Sequence, residues 1–386
     1  MSSTKPHILF VSHDANRAGA QLFLLNIMKE YKRKGYELGI CFLNTWGPLL
    51  ADFKNIAEVY PAIESKSILE KIGSKLGLSV KRHKKLSAAK FDLIYANTIA
   101  SAPLAVSLKR ELKVPLLTHI HELSYSIEMY SSASDRKQLF ELSDNVVACS
   151  NAVHQNLIAT YSVLDPTKVK TVHSFIDNAA VRSKMAQMSK ESVVEKYNLP
   201  KDVFFVGACG NSEYRKGLDI FAKLVNALQN KSNALKTHFV WIGAQPDGDY
   251  FEKVQQYLAG HQLSDKISLI PPTPDAVSII NTLDVFVVSS REDPFPLVML
   301  EAALCQKPIL GFKETGGCEE FVGQKAGILS PLEDVQHMSE QLNQLLDNET
   351  LRRQFGEYGQ MQVNEIYNFD SSFMKLDGII SSLVLA

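Results

Sequence analysis

Residues 178–200 read NAAVRSKMAQMSKESVVEKYNLP, a polar stretch with no strand-like run, closed by Asn-Leu-Pro. It decides the fold because the patterns on its two sides are each complete. Before it, short runs rich in Val, Ile, Leu or Phe recur at 7–12, 37–43, 57–60, 93–97, 116–121, 145–150 and 168–173. They do not alternate strictly, as expected of strands buried on both faces of a parallel sheet. Helix-period segments lie between them; in residues 18–34, Leu22, Leu25, Ile27, Met28 and Tyr31 share one broad face. After the polar stretch the alternation restarts at 203–207 and continues through 238–242, 266–270, 284–289, 308–310 and 327–330. Strand and helix in alternation mean βαβ units and a doubly wound sheet. The expected architecture is therefore α/β, with two facing Rossmann-like domains, an interdomain cleft and a C-terminal helix. Its parts are residues 1–177, a linker at 178–200, residues 201–368 and a helix at 369–386.

Length and composition agree. A chain of 386 residues suggests two domains. With 45% apolar and 22% charged residues it is neither a disordered chain nor a fibre. No apolar run approaches the roughly 18 residues of a membrane span. Residues 1–6 carry one lysine and lead straight into a strand, so no signal peptide and a cytoplasmic location, at the inner face of the membrane, are expected. Five scattered cysteines read as reduced thiols, and no metal site is expected.

The net charge of −1 conceals an asymmetry. Residues 1–190 hold 25 Lys and Arg against 16 Asp and Glu, whereas residues 191–386 hold 16 against 26. A basic half faces an anionic partner, phosphate or membrane surface. Near-neutrality overall, with no nucleic-acid-binding motif, excludes a nucleic-acid partner. Within the basic half, residues 63–90 hold eight Lys and Arg and two Glu, with Ile68, Leu69, Ile72, Leu76 and Leu78 as an apolar side. That segment reads either as a helix packed on the sheet or as a peripheral contact with an anionic membrane surface.

Ligands of open α/β sheets bind beyond the carboxyl ends of the strands, so the loops after the strands carry the chemistry. Residues 289–303, SSREDPFPLVMLEAA, pass from a strand through an acidic turn into a helix expected to begin near Pro296. Backbone amides near Phe295, Leu297 and Val298 would form an anion site at its start. Residues 207–219, GACGNSEYRKGLD, place Gly210 after a strand and Arg215, Lys216 and Gly217 before a helix. Glycine permits close backbone approach there, and lysine can meet a phosphate. Residues 12–21, SHDANRAGAQ, and 118–122, THIHE, follow two strands of the first half; His119 and His121 lie on one face by alternation. Residues 315–321, TGGCEEF, form a further glycine turn. Asp247-Gly248-Asp249 imitates a metal-binding triplet but reads as a turn and helix cap.

Together these loops resemble the retaining family 4 glycosyltransferases, enzymes of the GT-B fold, over nearly the whole chain. That family carries an acidic residue, seven residues, then Glu-Ala, a spacing that selects Asp293 and Glu301, with Asp293 in place of the usual glutamate. The resemblance implies that Asp293 holds hydroxyls of a donor sugar and Glu301 the ribose of its nucleotide. Lys216 and Gly210 would grip the diphosphate, with the amides of Phe295, Leu297 and Val298 at the helix start and Pro296 lining the donor site between them. The family arginine five residues before Lys216 is Asn211 here, which leaves Arg215 as the second cation or as a surface charge. Arg17, Gly19 and Ala20 match the N-terminal glycine loop near donor and acceptor, and His121 the histidine that approaches the donor sugar. Implied is transfer of a hexose from a nucleotide diphosphate sugar to a saccharide or lipid-linked hydroxyl, in surface polysaccharide synthesis, with no cofactor or metal. An epimerase of the same fold and a catalytically silent nucleotide-sugar-binding subunit stay open. A nicotinamide oxidoreductase is disfavoured because the first turn lacks GxGxxG.

Overall fold

A computed structural model describes residues 5–62, 84–229, 231–323 and 325–384. The chain forms two compact units, Met1–His173 with Phe373–Ala386, and Ser174–Ser372.

The first unit is built on seven strands: β1 His7–Ser12, β2 Glu37–Phe42, β3 Glu58–Pro61, β4 Leu93–Asn97, β5 Leu116–Ile120, β6 Asn145–Ala148 and β7 Val169–Thr171. Their order is β3-β2-β1-β4-β5-β6-β7, and neighbours pair in parallel throughout. The second unit holds β8 Phe204–Cys209, β9 Thr237–Ile242, β10 Ile267–Ile270, β11 Val285–Val288, β12 Ile309–Phe312 and β13 Gly327–Ser330. These run β10-β9-β8-β11-β12-β13, again all parallel. Every apolar run read from the sequence is a strand, with ends shifted by a residue or two.

Central strands are buried along their length: β4, β5, β9, β11 and β12 have no exposed position. In the second unit Phe221, Phe239 and Trp241 meet edge to face inside the core. Such side chains contribute about 1.5–3 kcal/mol each on burial.

Residues 178–200 differ from the expected linker. They form the helices Asn178–Met185 and Lys190–Lys196, capped by the side chains of Asp177 and Ser189. Val181, Val193 and Val194 are buried, and Ser278 Oγ donates to the Lys184 carbonyl at 2.8 Å. With one or two apolar anchors per helix, the segment has too little periodicity to be read as part of a domain. The boundary falls after His173 instead. The terminal helix spans Phe369–Val384, and from Phe373 onward it belongs to the first unit. There Phe373 packs against Tyr31 at 5.0 Å between ring centroids, and Lys34 Nζ meets Asp377 Oδ2 at 2.7 Å.

Of the basic segment 63–90, residues 63–83 lie outside the described residues, and Lys84–Ala88 is a short helix. Among the described residues no helix is long and apolar enough to cross a membrane. Gly248, φ +93°, opens the helix Asp249–Gly260, so the Asp-Gly-Asp triplet is a turn with its second acid in the helix's first turn.

Candidate functional site

Each sheet reverses its winding direction between its first and fourth strands, β1 and β4 in one unit and β8 and β11 in the other. The loops leaving these pairs diverge and open a crevice at the strand ends. Both crevices are lined by polar side chains singled out above.

In the second unit the loops after β8 and β11 are locked together. Gly217 has φ +73°, and a Cβ there would lie 2.1 Å from the Ser289 carbonyl oxygen, so only glycine lets the loops touch. Arg291 donates to both carboxylate oxygens of Asp219 at 2.8 Å and to Glu333 at 2.7 Å, and its guanidinium stacks 3.8 Å above the Tyr214 ring. A planar fork making two parallel bonds is a rigid brace. Burial works to raise the Asp219 carboxyl, but Arg291 and the Tyr250 hydroxyl hold it down at about 2.

This brace presents Lys216. Its Nζ lies 2.5 Å from Asp293 Oδ2, and Arg215 Nη1 lies 3.8 Å from the same oxygen. Arg215 is not a free surface charge: Nη1 also donates to the Glu292 carbonyl at 3.0 Å, and the side chain is 21% exposed. Asn211 donates instead to Glu213 at 2.6 Å. Lys216 lies across Gly210, where an added Cβ would meet it at 3.3 Å.

Asp293 is buried and held by the glycine turn that follows β12. Its N–H donates to the Thr315 carbonyl at 2.7 Å, and the Gly317 N–H donates to the Asp293 carbonyl at 3.0 Å. Gly316 has φ +118°, and a Cβ on Gly317 would lie 2.4 Å from the Phe295 ring. The turn is therefore required to build the site, beyond being a loop near it.

The helix runs Leu297–Leu304 with Pro296 at its N-cap, one residue later than expected. Phe295 and Pro296 are buried, while Leu297 and Val298 are partly exposed. The first amides of a helix have no acceptor within it, so those of Leu297 and Val298 are the donors on offer. Glu301, half-buried in this helix, has its carboxyl pushed up to about 7 by burial, with Lys184 opposing. Burial raises the Cys209 thiol at the end of β8 to about 12; Glu301 adds to this and Lys216 opposes it, so all three share one neighbourhood.

In the first unit His119 and His121 stack, with ring centroids 4.1 Å apart, and Phe23 meets both edge-on. Tyr95 Oη lies 2.5 Å from His119 Nδ1, and His121 Nε2 lies 3.0 Å from Asn97 Oδ1. Burial drives the His121 imidazole down to about 3 and the His119 ring well below the ordinary range. Glu122, raised to about 7 by burial, accepts from the His121 and Ile99 amides.

The loop after β1 joins the same cluster. Gln21 Nε2 donates to Asp14 Oδ1 at 2.6 Å and lies 3.1 Å from His13 Nε2, while His13 Nδ1 lies 3.0 Å from Thr98 Oγ1. Asn97 Nδ2 donates to the Ala20 carbonyl at 3.2 Å, tying this loop to His121. Arg17 and Gly19 are exposed beside it, and the helix Gly19–Arg33 starts with no side-chain cap and no acid in its first turn.

Within each unit, then, the residues singled out converge: Lys216, Arg215, Asp293 and Glu301 in one, His121 and Ala20 in the other. Asn97, Gln21, Asp14, Asp219 and Arg291 were missed. The partners of Asn97 lie 77 and 24 residues away and those of Asp219 and Arg291 72 residues apart, whereas Gln21 and Asp14 pair locally, seven residues apart.

Comparison with known proteins follows the same division. Residues 189–362 match the family model of glycosyl transferases group 1, and residues 17–179 that of glycosyltransferase family 4. Together the two glycosyltransferase models cover most of the chain, which belongs to the glycosyltransferases that combine these two domains. It is similar to the O-antigen biosynthesis glycosyltransferase WclY of Escherichia coli, 24% identical over 314 residues, 78% of this chain and 79% of that one. It also resembles the capsular polysaccharide biosynthesis glycosyltransferase CapM of Staphylococcus aureus, 22% identical over 62% of each chain. Among solved structures, Anabaena Alr3699/HepE in complex with UDP and glucose superposes with a TM-score of 0.80 at 20% identity, covering 98% of this chain and all of that one. WaaG, a glycosyltransferase involved in lipopolysaccharide biosynthesis, gives 0.71 at 15% identity, covering 97% and 99%. The fold of this glycosyltransferase is thus GT-B.

Proposed function

We propose that this glycosyltransferase moves a hexose from a nucleotide diphosphate sugar to a saccharide or lipid-linked hydroxyl, with retention at the anomeric carbon and without a metal. The observation that carries the reading is the convergence of Lys216 and Arg215 on Asp293 at the strand ends of the second unit. Two cations beside helix amides suit a leaving diphosphate, whose negative charge grows as the bond to the sugar breaks. Arg215 takes the place of the cation absent at Asn211.

In this reading the bond from the anomeric carbon to the diphosphate breaks. The acceptor oxygen then bonds to that carbon from the same face, and its proton passes to the departing diphosphate. A double displacement would need two carboxylates about 5 to 5.5 Å apart across the bond; Asp293 and Glu301 act instead as positioning groups. Asp293 holds sugar hydroxyls once a phosphate competes for Lys216, and Glu301 holds the ribose. Leu297 and Val298 offer amides to the diphosphate. Arg17, Gly19 and Ala20 lie toward the acceptor, and His121 toward the sugar. Similarity to O-antigen and capsular enzymes supports surface polysaccharide as the product. The charge of residues 63–90 supports work in the cytoplasm at the inner leaflet.

Glu301→Gln tests the site. At about pH 8, where a carboxyl held at about 7 is ionised, losing a hydrogen bond to this charged group costs about 1.5–3 kcal/mol, so donor affinity should fall at least tenfold. Unchanged affinity and turnover would remove Glu301 from the site. The anomeric configuration of the product, read by proton NMR, tests retention: inversion would contradict it.

A further inference from the structure

Asn97 is the last residue of β4 and has no exposed surface. Its side-chain amide lies between two unlike neighbours. Nδ2 donates to the Ala20 carbonyl at 3.2 Å, and Oδ1 stands 3.0 Å from His121 Nε2. A carbonyl oxygen only accepts, so the NH₂ end must face Ala20 and the oxygen must face the histidine. An amide oxygen also only accepts, so the proton on the imidazole sits on Nε2.

We infer that Asn97 is a positioning residue that holds His121 in its Nε2–H tautomer, leaving Nδ1 as an acceptor for a substrate hydroxyl. The rest of the cluster keeps the ring where Asn97 needs it. The His121 amide donates to Glu122 Oε2 at 2.8 Å, the His119 ring stacks on one face, and the Phe23 edge closes in at 5.2 Å. Thr98, next to Asn97, has φ +71°, a strained conformation for a β-branched residue. Its amide donates to the His119 carbonyl at 2.9 Å, and its hydroxyl meets His13 at 3.0 Å. These bonds hold the end of β4 in a geometry that the chain would not adopt unaided.

The titratable groups around His121 are His119 and Glu122 on its own segment, Tyr95 on β4, and His13 and Asp14 after β1. Among the described residues none of them bonds Nδ1. Burial keeps the ring neutral through physiological pH, so His121 neither donates from Nδ1 nor acts there as a charged acid. It recognises a group that can donate, such as a sugar hydroxyl, and rejects a fluorine in the same place. That the partner is a sugar hydroxyl rests on the proposed glycosyl transfer; the tautomer does not.

The test is a long-range ¹H–¹⁵N spectrum of the full-length protein labelled at histidine, recorded without substrate. His121→Gln assigns the His121 signals by their loss. The expected result is a neutral Nε2–H pattern, unchanged over about pH 6 to 8, where an ordinary histidine titrates. In Asn97→Ala the ring should show mixed tautomers. In Asn97→Asp the Nε2 proton should stay, but the ring should become charged near neutrality, which a mere packing role for Asn97 would not produce. If both variants fail to fold, the native spectrum still decides. A Nδ1–H form, a mixture, or a titrating His121 in the native protein overturns the inference. Because no substrate is present, failure of donor binding elsewhere leaves this result intact.

Discussion

Among the described residues, burial pushes two carboxyls, those of Glu301 and Glu122, up to about 7. For both, burial raises the value from the ordinary 4.5, so the folded chain holds these protons over a range where the unfolded chain has lost them. Their contribution to stability is present below about pH 4.5 and is lost as pH rises through about 7. The urea midpoint of the native protein should therefore carry a downward component across this interval. Glu301→Gln should flatten it, as should Glu122→Gln. An unchanged slope in both variants would contradict the burial described for these groups. Legibility at this scale was uneven. Lys216, Asp293 and Glu301 could be read because their spacing after strands repeats a family pattern. Asn97 could not: its meaning lies in Ala20, 77 residues earlier, and in His121, 24 residues later.

At the scale of elements, the loops after β8 and β11 work as one piece because Arg291 ties them together. The residue sits in what reads as an acidic turn, and nothing in its neighbourhood announces Asp219, 72 residues away, as its partner. Arg291→Lys keeps the charge but loses the fork and the stack on Tyr214. We expect a stability loss of about 1–3 kcal/mol, measured by denaturant unfolding, and at least a tenfold fall in turnover as Lys216 loses its support. Native-like turnover would show that the brace does not position the lysine. Strands were far more legible than this brace. A parallel strand buried on both faces leaves a continuous apolar run, and β1, β4 and β13 match the sequence reading to the residue. The helices Asn178–Met185 and Lys190–Lys196 were not legible, since three valines supply their buried anchors.

At the scale of the whole molecule, charge is divided, with residues 1–190 basic and 191–386 acidic. If the basic half serves an anionic leaflet, the protein should sediment with vesicles containing phosphatidylglycerol at low salt. It should then release as ionic strength rises and the Debye length shrinks from about 30 Å at 0.01 M to about 8 Å at 0.15 M. Failure to sediment at low salt would remove the membrane from the account. The central claim, a sugar nucleotide held by Lys216, is tested most directly by thermal shift. UDP-, GDP-, ADP- and dTDP-sugars, with and without magnesium, would be compared on the native protein and on Lys216→Ala. A ligand that binds only the folded state stabilises it by about 2.7 kcal/mol at a hundredfold excess over its dissociation constant. The account predicts a selective, magnesium-independent shift with one sugar nucleotide that is lost in Lys216→Ala. No shift with any of them, or an equal shift in the folded variant, would contradict it.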